Sequence, residues 1–281
     1  MTANAELFRF LQKLVNDMYE DLDLPGFPDV VVRLQRILAD EKSSARDIVR
    51  LVSSDAALSA KLLHLANSAA FNPGNRAVSD LKAAVTLLGF SLVRGTATSF
   101  AMRQIEQQSW LLPLKPQLTR IWQDSTSVAA ICYIGARRID GMRPDEALAA
   151  GLFHQLGTLY VLTRAHREGI AIGDTSEWTE TIAGWTPTIA RAILENWRVP
   201  EHLTDAVEHQ DALSREDPGE LSLLARLLAA AKLYQRMQSP QADHASAQAI
   251  LTGVKFGTLP FLEMMQSARD EIEAVRRVLG Q

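Results

Sequence analysis

Apolar residues recur at three- and four-residue intervals along most of the chain, the spacing that lines one face of an α-helix. Val30, Leu34, Ile37 and Leu38 form the first such stripe. Ser44 and Asp47 stand three apart before Ile48, Leu51 and Val52, a capping-box start in which serine and acid satisfy free backbone N–H groups. Asp55 opens the stripe Leu58, Leu62 and Leu65. Ser79 is placed to cap the next helix, with Leu81, Val85 and Leu88 inside and Gly89 closing it. A further helical segment runs from Ser91 to about Gln107.

Leu111-Leu112-Pro113-Leu114-Lys115-Pro116 interrupts the pattern. Proline lacks a donor and restricts its predecessor, so a boundary between two helical halves is predicted here. Beyond it, Leu118, Ile121, Trp122, Ser125, Val128, Ala129 and Cys132 share one helix face, and Gly141 ends the element. Pro144 fits the first turn of a helix reaching about Gly157. Pro187 is expected to play the same part after Thr186, before Ala190, Ile193, Leu194 and Trp197. Pro200 restarts a short helix through Leu203 and Val207. Leu221 to Met237 reads as a Leu- and Ala-rich helix, and Leu262 to Leu279 as the last one. Asp211 to Glu220 is polar, contains Pro218 and Gly219, and reads as an exposed loop. No segment shows convincing strand alternation, and no repeat is seen.

Composition narrows the function classes. The chain has 281 residues, 47% of them hydrophobic, enough for a sizeable core. Its net charge is −4, without a long Lys/Arg run, so the basic surface of a nucleic-acid binder is not advertised. A single cysteine, Cys132, excludes an internal disulfide and a Cys-based zinc site, and its apolar stripe marks a buried structural thiol. The first 20 residues carry Glu6, Asp17 and Glu20 and do not resemble a signal peptide. No uncharged apolar run reaches the ~20 residues that span a bilayer. A cytoplasmic location follows as an expectation. Phosphate-cradling Gly-rich loops and a Gly-x-Ser-x-Gly elbow are absent. Met1 favours a complete chain, with an excised output domain as the alternative.

Two sets of motifs carry a family resemblance. Leu24-Pro25-Gly26-Phe27-Pro28 precedes a helix, and Ser54-Asp55-Ala56-Ala57-Leu58 runs into Leu65-Ala66-Asn67-Ser68-Ala69, with Ala84-Val85-Thr86-Leu87-Leu88-Gly89 following. Gly151-Leu152-Phe153-His154-Gln155-Leu156-Gly157 is similar to the "G-L-L-H-D-I-G-K" signature of HD proteins. Ala192-Ile193-Leu194-Glu195-Asn196-Trp197-Arg198-Val199-Pro200 resembles "L-L-x-x-W-x-L-P", and Ala206-Val207-Glu208-His209 resembles "A-I-x-x-H-H". Together, in this order, they resemble HDOD domains, output domains related to HD hydrolases but without their catalytic set.

The resemblance implies an all-α fold of two packed helical subdomains, the second HD-like, with residues 1–108 in the first and 109–281 in the second plus a C-terminal extension. HD hydrolases use metal-bound water as nucleophile, held by imidazole and carboxylate. By that pattern Asp124 stands where the first histidine belongs, His154 is retained, and Gln155 replaces its aspartate partner. Thr158 replaces the lysine that closes the signature. Thr186 stands for a further histidine, His209 is kept with Gln210 as its neighbour, and Lys232 stands near the place of the last aspartate. Leu221 to Met237 holds no Asp or Glu at all. So few anionic ligands leave a dehydrated cation uncompensated, so neither metal nor cofactor is expected. A residual metal site, if formed, would use Asp124, His154 and His209.

The expected function is a non-catalytic bacterial signalling module. It would act on signalling proteins in trans, without nucleic acid or membrane, through a vestigial pocket of Asp124, His154, Gln155, Thr186, His209 and Lys232, in the groove between the halves. The helical surfaces are compatible with a homodimer. The rivals are a metal-dependent phosphohydrolase and a small-molecule or single-metal sensor using the same pocket. Plainer structural roles stand beside these: a hydrogen-bonded His154, an N-capping Thr186, an exposed His209, Asn67 as a helix-end contact, and core positions for Trp122 and Trp197.

Overall fold

The apolar stripes become helices in the computed structural model, which describes residues 8–14, 26–40, 42–74, 76–170, 176–215, 220–239 and 243–280, with only the backbone of 176–180. The first seven residues, the Leu24-Pro25 opening of the first motif and loop residues 216–219 lie outside the described residues. Helical residues 8–14 (α1) precede α2 (Asp29–Ala39), α3 (Ala45–Val52), α4 (Ala56–Asn67) and the long α5 (Leu81–Ile105). A 3-10 turn, Ser109–Leu114, leads into α6 (Lys115–Ala136). Then come α7 (Pro144–Phe153), α8 (Leu156–Arg167), α9 (Ser176–Asn196), α10 (Glu201–Glu208) and α11 (Leu223–Met237). The chain closes with α12 (His244–Gly253), a hairpin of β1 (Lys255–Phe256) and β2 (Leu259–Pro260), α13 (Phe261–Ser267) and α14 (Arg269–Gly280).

Local chemistry explains most boundaries. The Asp47 carboxylate accepts from the backbone N–H and the hydroxyl of Ser44 at 3.0 and 2.7 Å, anchoring the start of α3. Asp55 caps α4 by accepting from Leu58 N at 2.9 Å. The cap of α5 is Asp80, accepting from Ala83 N at 2.8 Å, one residue beyond the expected Ser79. Gly89, with φ of 75°, breaks α5 where the sequence closes one helix and opens another. Asn67 is the helix-end contact expected of it. Its amide donates to Leu63 O and Val78 O and its oxygen accepts from Val78 N, closing the loop after α4.

Three further expectations need correction. The element from Pro144 stops at Phe153, and His154 and Gln155 form a break before α8. Thr186 and Pro187 lie inside α9 rather than at its start. Pro187 has no N–H to give the carbonyl four residues back, Ala183 O, and the Thr186 hydroxyl donates to that oxygen instead, at 3.3 Å. The last apolar stripe is split at Ala268 into α13 and α14. The two-residue hairpin is too short to show alternation in sequence.

Buried side chains form two cores, the basis of two packed helical subdomains. One gathers the inner faces of α2 to α5 with Ala129, Ala130, Ile134, Leu148 and Leu152. Val275 and Leu279 of the C-terminal α14 also join it. The other lies among α6 to α13 and takes in Leu11, Leu14, Met102 and Ile105. Trp122 and Trp197 are core residues, as their stripes require. Burial pushes the Cys132 thiol well up, which makes it inert. Helix α5 is long and apolar enough to cross a membrane, but two thirds of its most apolar window is buried inside this protein.

Candidate functional site

Two glycines set how closely the site helices meet. A β-carbon at Gly151 in α7 would lie 2.4 Å from Ala129 Cα in α6. One at Gly157 in α8 would lie 2.0 Å from Thr186 O in α9. Neither distance is compatible with a side chain, so α7 and α8 rest backbone-on-backbone against their neighbours. The break between them leaves His154 at the junction, 2% exposed.

His154 Nδ1–H donates to Gly151 O at 2.6 Å, which leaves Nε2 without a proton. Burial is the main reason its pKa falls to about 3, and the charge of Lys232 adds to the effect. The imidazole is therefore neutral at physiological pH.

Lys232 projects from α11 toward the end of α10. Its ammonium donates to Gln210 Oε1 at 2.9 Å and to Asp211 Oδ2 at 2.8 Å. Gln210 is buried and its amide donates in turn to Val207 O at 2.8 Å. Burial lowers the Lys232 pKa, while the Asp211 carboxylate opposes that and keeps the ammonium paired. A shallow crevice over this pair is bounded by Gln210, Asp211, Ser214, Ala229, Lys232 and Arg236. It is too narrow for a water-sized sphere.

The six sequence-selected residues are thus only partly brought together. His154 and Lys232 act on one another electrostatically. Asp124, on α6, faces α11 elsewhere: Gln235 and Arg120 favour its charged form, although burial raises its pKa overall. His209 turns back on its own helix, with Nδ1 2.9 Å from Asp205 O and 3.2 Å from Asp205 Oδ1. Thr186 packs against Gly157 and repairs α9. Gln155 is half-buried at the helix break. Among the described residues no three His, Cys, Asp or Glu side chains converge to hold a metal, so Asp124, His154 and His209 do not form the residual face allowed for above. The donor set does not fit a divalent ion either. An ammonium next to His154 repels a cation, and Asp211 is already neutralised by it.

Sequence reasoning missed Asp211, which it left in an exposed loop. The available signal was the absence of any acid from α11: a lysine buried there needs a counter-ion from a neighbouring element.

This is an all-α protein with the HD-type arrangement of helices around a site in which an ammonium stands among the helix ends. Residues 24–213 match the HDOD domain, and the chain belongs to that family. Its fold is similar to that of a protein from Shewanella amazonensis SB2B described as a candidate metal-dependent phosphohydrolase. The TM-score is 0.75, with 23% identity over 99% of both chains. An HDOD domain protein of unknown function from Geobacter sulfurreducens aligns with a TM-score of 0.60 and 21% identity over 96% of this chain and 97% of that one. A candidate signal transduction protein from Marinobacter aquaeolei VT8 gives 0.56 and 22%, over 96% of this chain and 66% of its own. An uncharacterized protein from Treponema pallidum (strain Nichols) is 28% identical over 171 residues, 59% of this chain, which spans about a third (31%) of that longer relative.

Proposed function

We propose that this chain is a non-catalytic, cytoplasmic regulatory module that acts on signalling proteins in trans. The observation that carries the reading is the Lys232 ammonium, bonded to Asp211 and Gln210 on the helix where the family resemblance calls for the last anionic metal ligand. A metal-activated water is disfavoured beside a resident ammonium that already neutralises the nearby Asp211 carboxylate.

The groove between the halves is the proposed point of control, with residues 1–108 and 109–281 as the moving units. Helix α5 packs on α7 along this seam: a β-carbon at Gly95 would lie 3.2 Å from Ala149 Cα. Arg94, beside it, reaches the second unit at Trp197 O. A partner that prefers one arrangement of the seam shifts the equilibrium between arrangements. The test pairs a hydrolysis assay on a generic phosphodiester, with Mn2+ or Zn2+ supplied, with hydrogen exchange along α5 and α7. No turnover, together with partner-dependent protection at the seam, is the expected result. Metal-dependent turnover lost in His154→Ala would establish the hydrolase instead.

A further inference from the structure

We propose that Lys232 is a resident cation: its ammonium performs the cross-linking that a bound metal would otherwise perform, and so makes this half of the fold independent of metal. The inference rests on the non-catalytic reading of the site but is tested by stability rather than by turnover, so the two fail separately.

The geometry is that of a small coordination centre with nitrogen in the middle. Two elements are bonded there, the turn after α10 with Gln210 and Asp211 and α11 with Lys232, and His154 at the end of α7 feels the ammonium electrostatically. The ammonium donates to two oxygen acceptors, one charged and one neutral, on adjacent residues of the turn. Gln210 is fixed from behind by Val207 O, so the oxygen it offers is pre-aimed. The cation is covalently attached, so no ligand has to be recruited from solution and no dissociation constant limits its occupancy. An aspartate at 232, two bonds shorter in reach, would remove the ammonium and bring a second carboxylate towards Asp211, with the His154 imidazole within electrostatic reach of both. These are the carboxylate and imidazole donors that divalent transition metals prefer.

The experiment is thermal unfolding of the full chain and of Lys232→Asp, Lys232→Met and Asp211→Asn, each with EDTA and with added Mn2+ or Zn2+. The melting midpoint of the parent chain should move by less than about 1 °C with either addition. Lys232→Asp should melt lower in EDTA and recover by about 5 °C or more in saturating metal. Should Lys232→Asp not fold in EDTA, recovery of its folding by metal counts equally as support. Lys232→Met and Asp211→Asn should each lower the midpoint, and the double variant should lose less than the sum of the two. A parent chain stabilised by metal would overturn the proposal, as would additive effects of Lys232→Met and Asp211→Asn. A Lys232→Asp variant blind to both metals would overturn it too.

Discussion

Arg94 donates to Trp197 O at 3.0 Å, joining residues 103 apart in sequence. Its second guanidinium nitrogen donates to Leu38 O at 2.8 Å, so one buried side chain ties α2, α5 and the end of α9. Among the described residues no carboxylate shares the contact, and burial lowers its pKa to about 10. Arg94→Met should destabilise the chain by about 2 kcal/mol in urea unfolding, because it strands two carbonyls away from water. Arg94→Lys should recover little, since an ammonium lacks the fork that spans both acceptors.

Acid should act through His154. Its pKa is about 3 when folded and 6.5 in its ordinary state, so the unfolded chain takes up the proton first. The stability it contributes is complete above pH 6.5, is lost as pH falls from there towards 3, and changes no further below that. The slope approaches about 1.4 kcal/mol per pH unit within the window. Urea unfolding of the parent chain and of His154→Gln between pH 7 and pH 4 checks this: the difference between them should shrink as pH falls. A constant difference would sink the assignment.

The α8–α9 contact tolerates no side chain at Gly157. Gly157→Ala should cost about 3 kcal/mol or abolish expression of folded protein, since backbone rather than a flexible side chain stands in the way. Thr186→Val keeps the branched shape but strips Ala183 O of its substitute donor, for a loss of about 1 kcal/mol. Denaturant melts of both variants, with Thr186→Ser as the conservative control, separate packing from hydrogen bonding.

The helices were legible because burial imposes a period: α4 and α6 bury the residues their stripes select, whereas α2 buries Leu34 of its stripe together with Val31 and Gln35 and leaves Val30, Ile37 and Leu38 half-buried. The internal proline of α9 was not, because a proline at a helix start and one repaired by the preceding hydroxyl look alike in sequence. The splits at His154 and Ala268 were hidden for another reason. Apolar residues continue across both, and only tertiary contacts decide where the hydrogen-bond ladder stops. Within the site, His154 was found as a match to the family pattern and Lys232 as a departure from it. Asp211 was not, because its role exists only when α10 and α11 pack together.

Lys61 of α4 donates to the carbonyls of Val278 and Leu279, at 3.2 and 3.0 Å, and so closes the last turn of α14. The anchor belongs to the first core, while the helix it holds also lies along α6 of the second. Seen mechanically, α14 is a buckle. A pull or twist applied at its end is delivered straight to α4, bypassing the 3-10 turn that joins the halves along the chain. Load and sequence thus run through this protein by different routes.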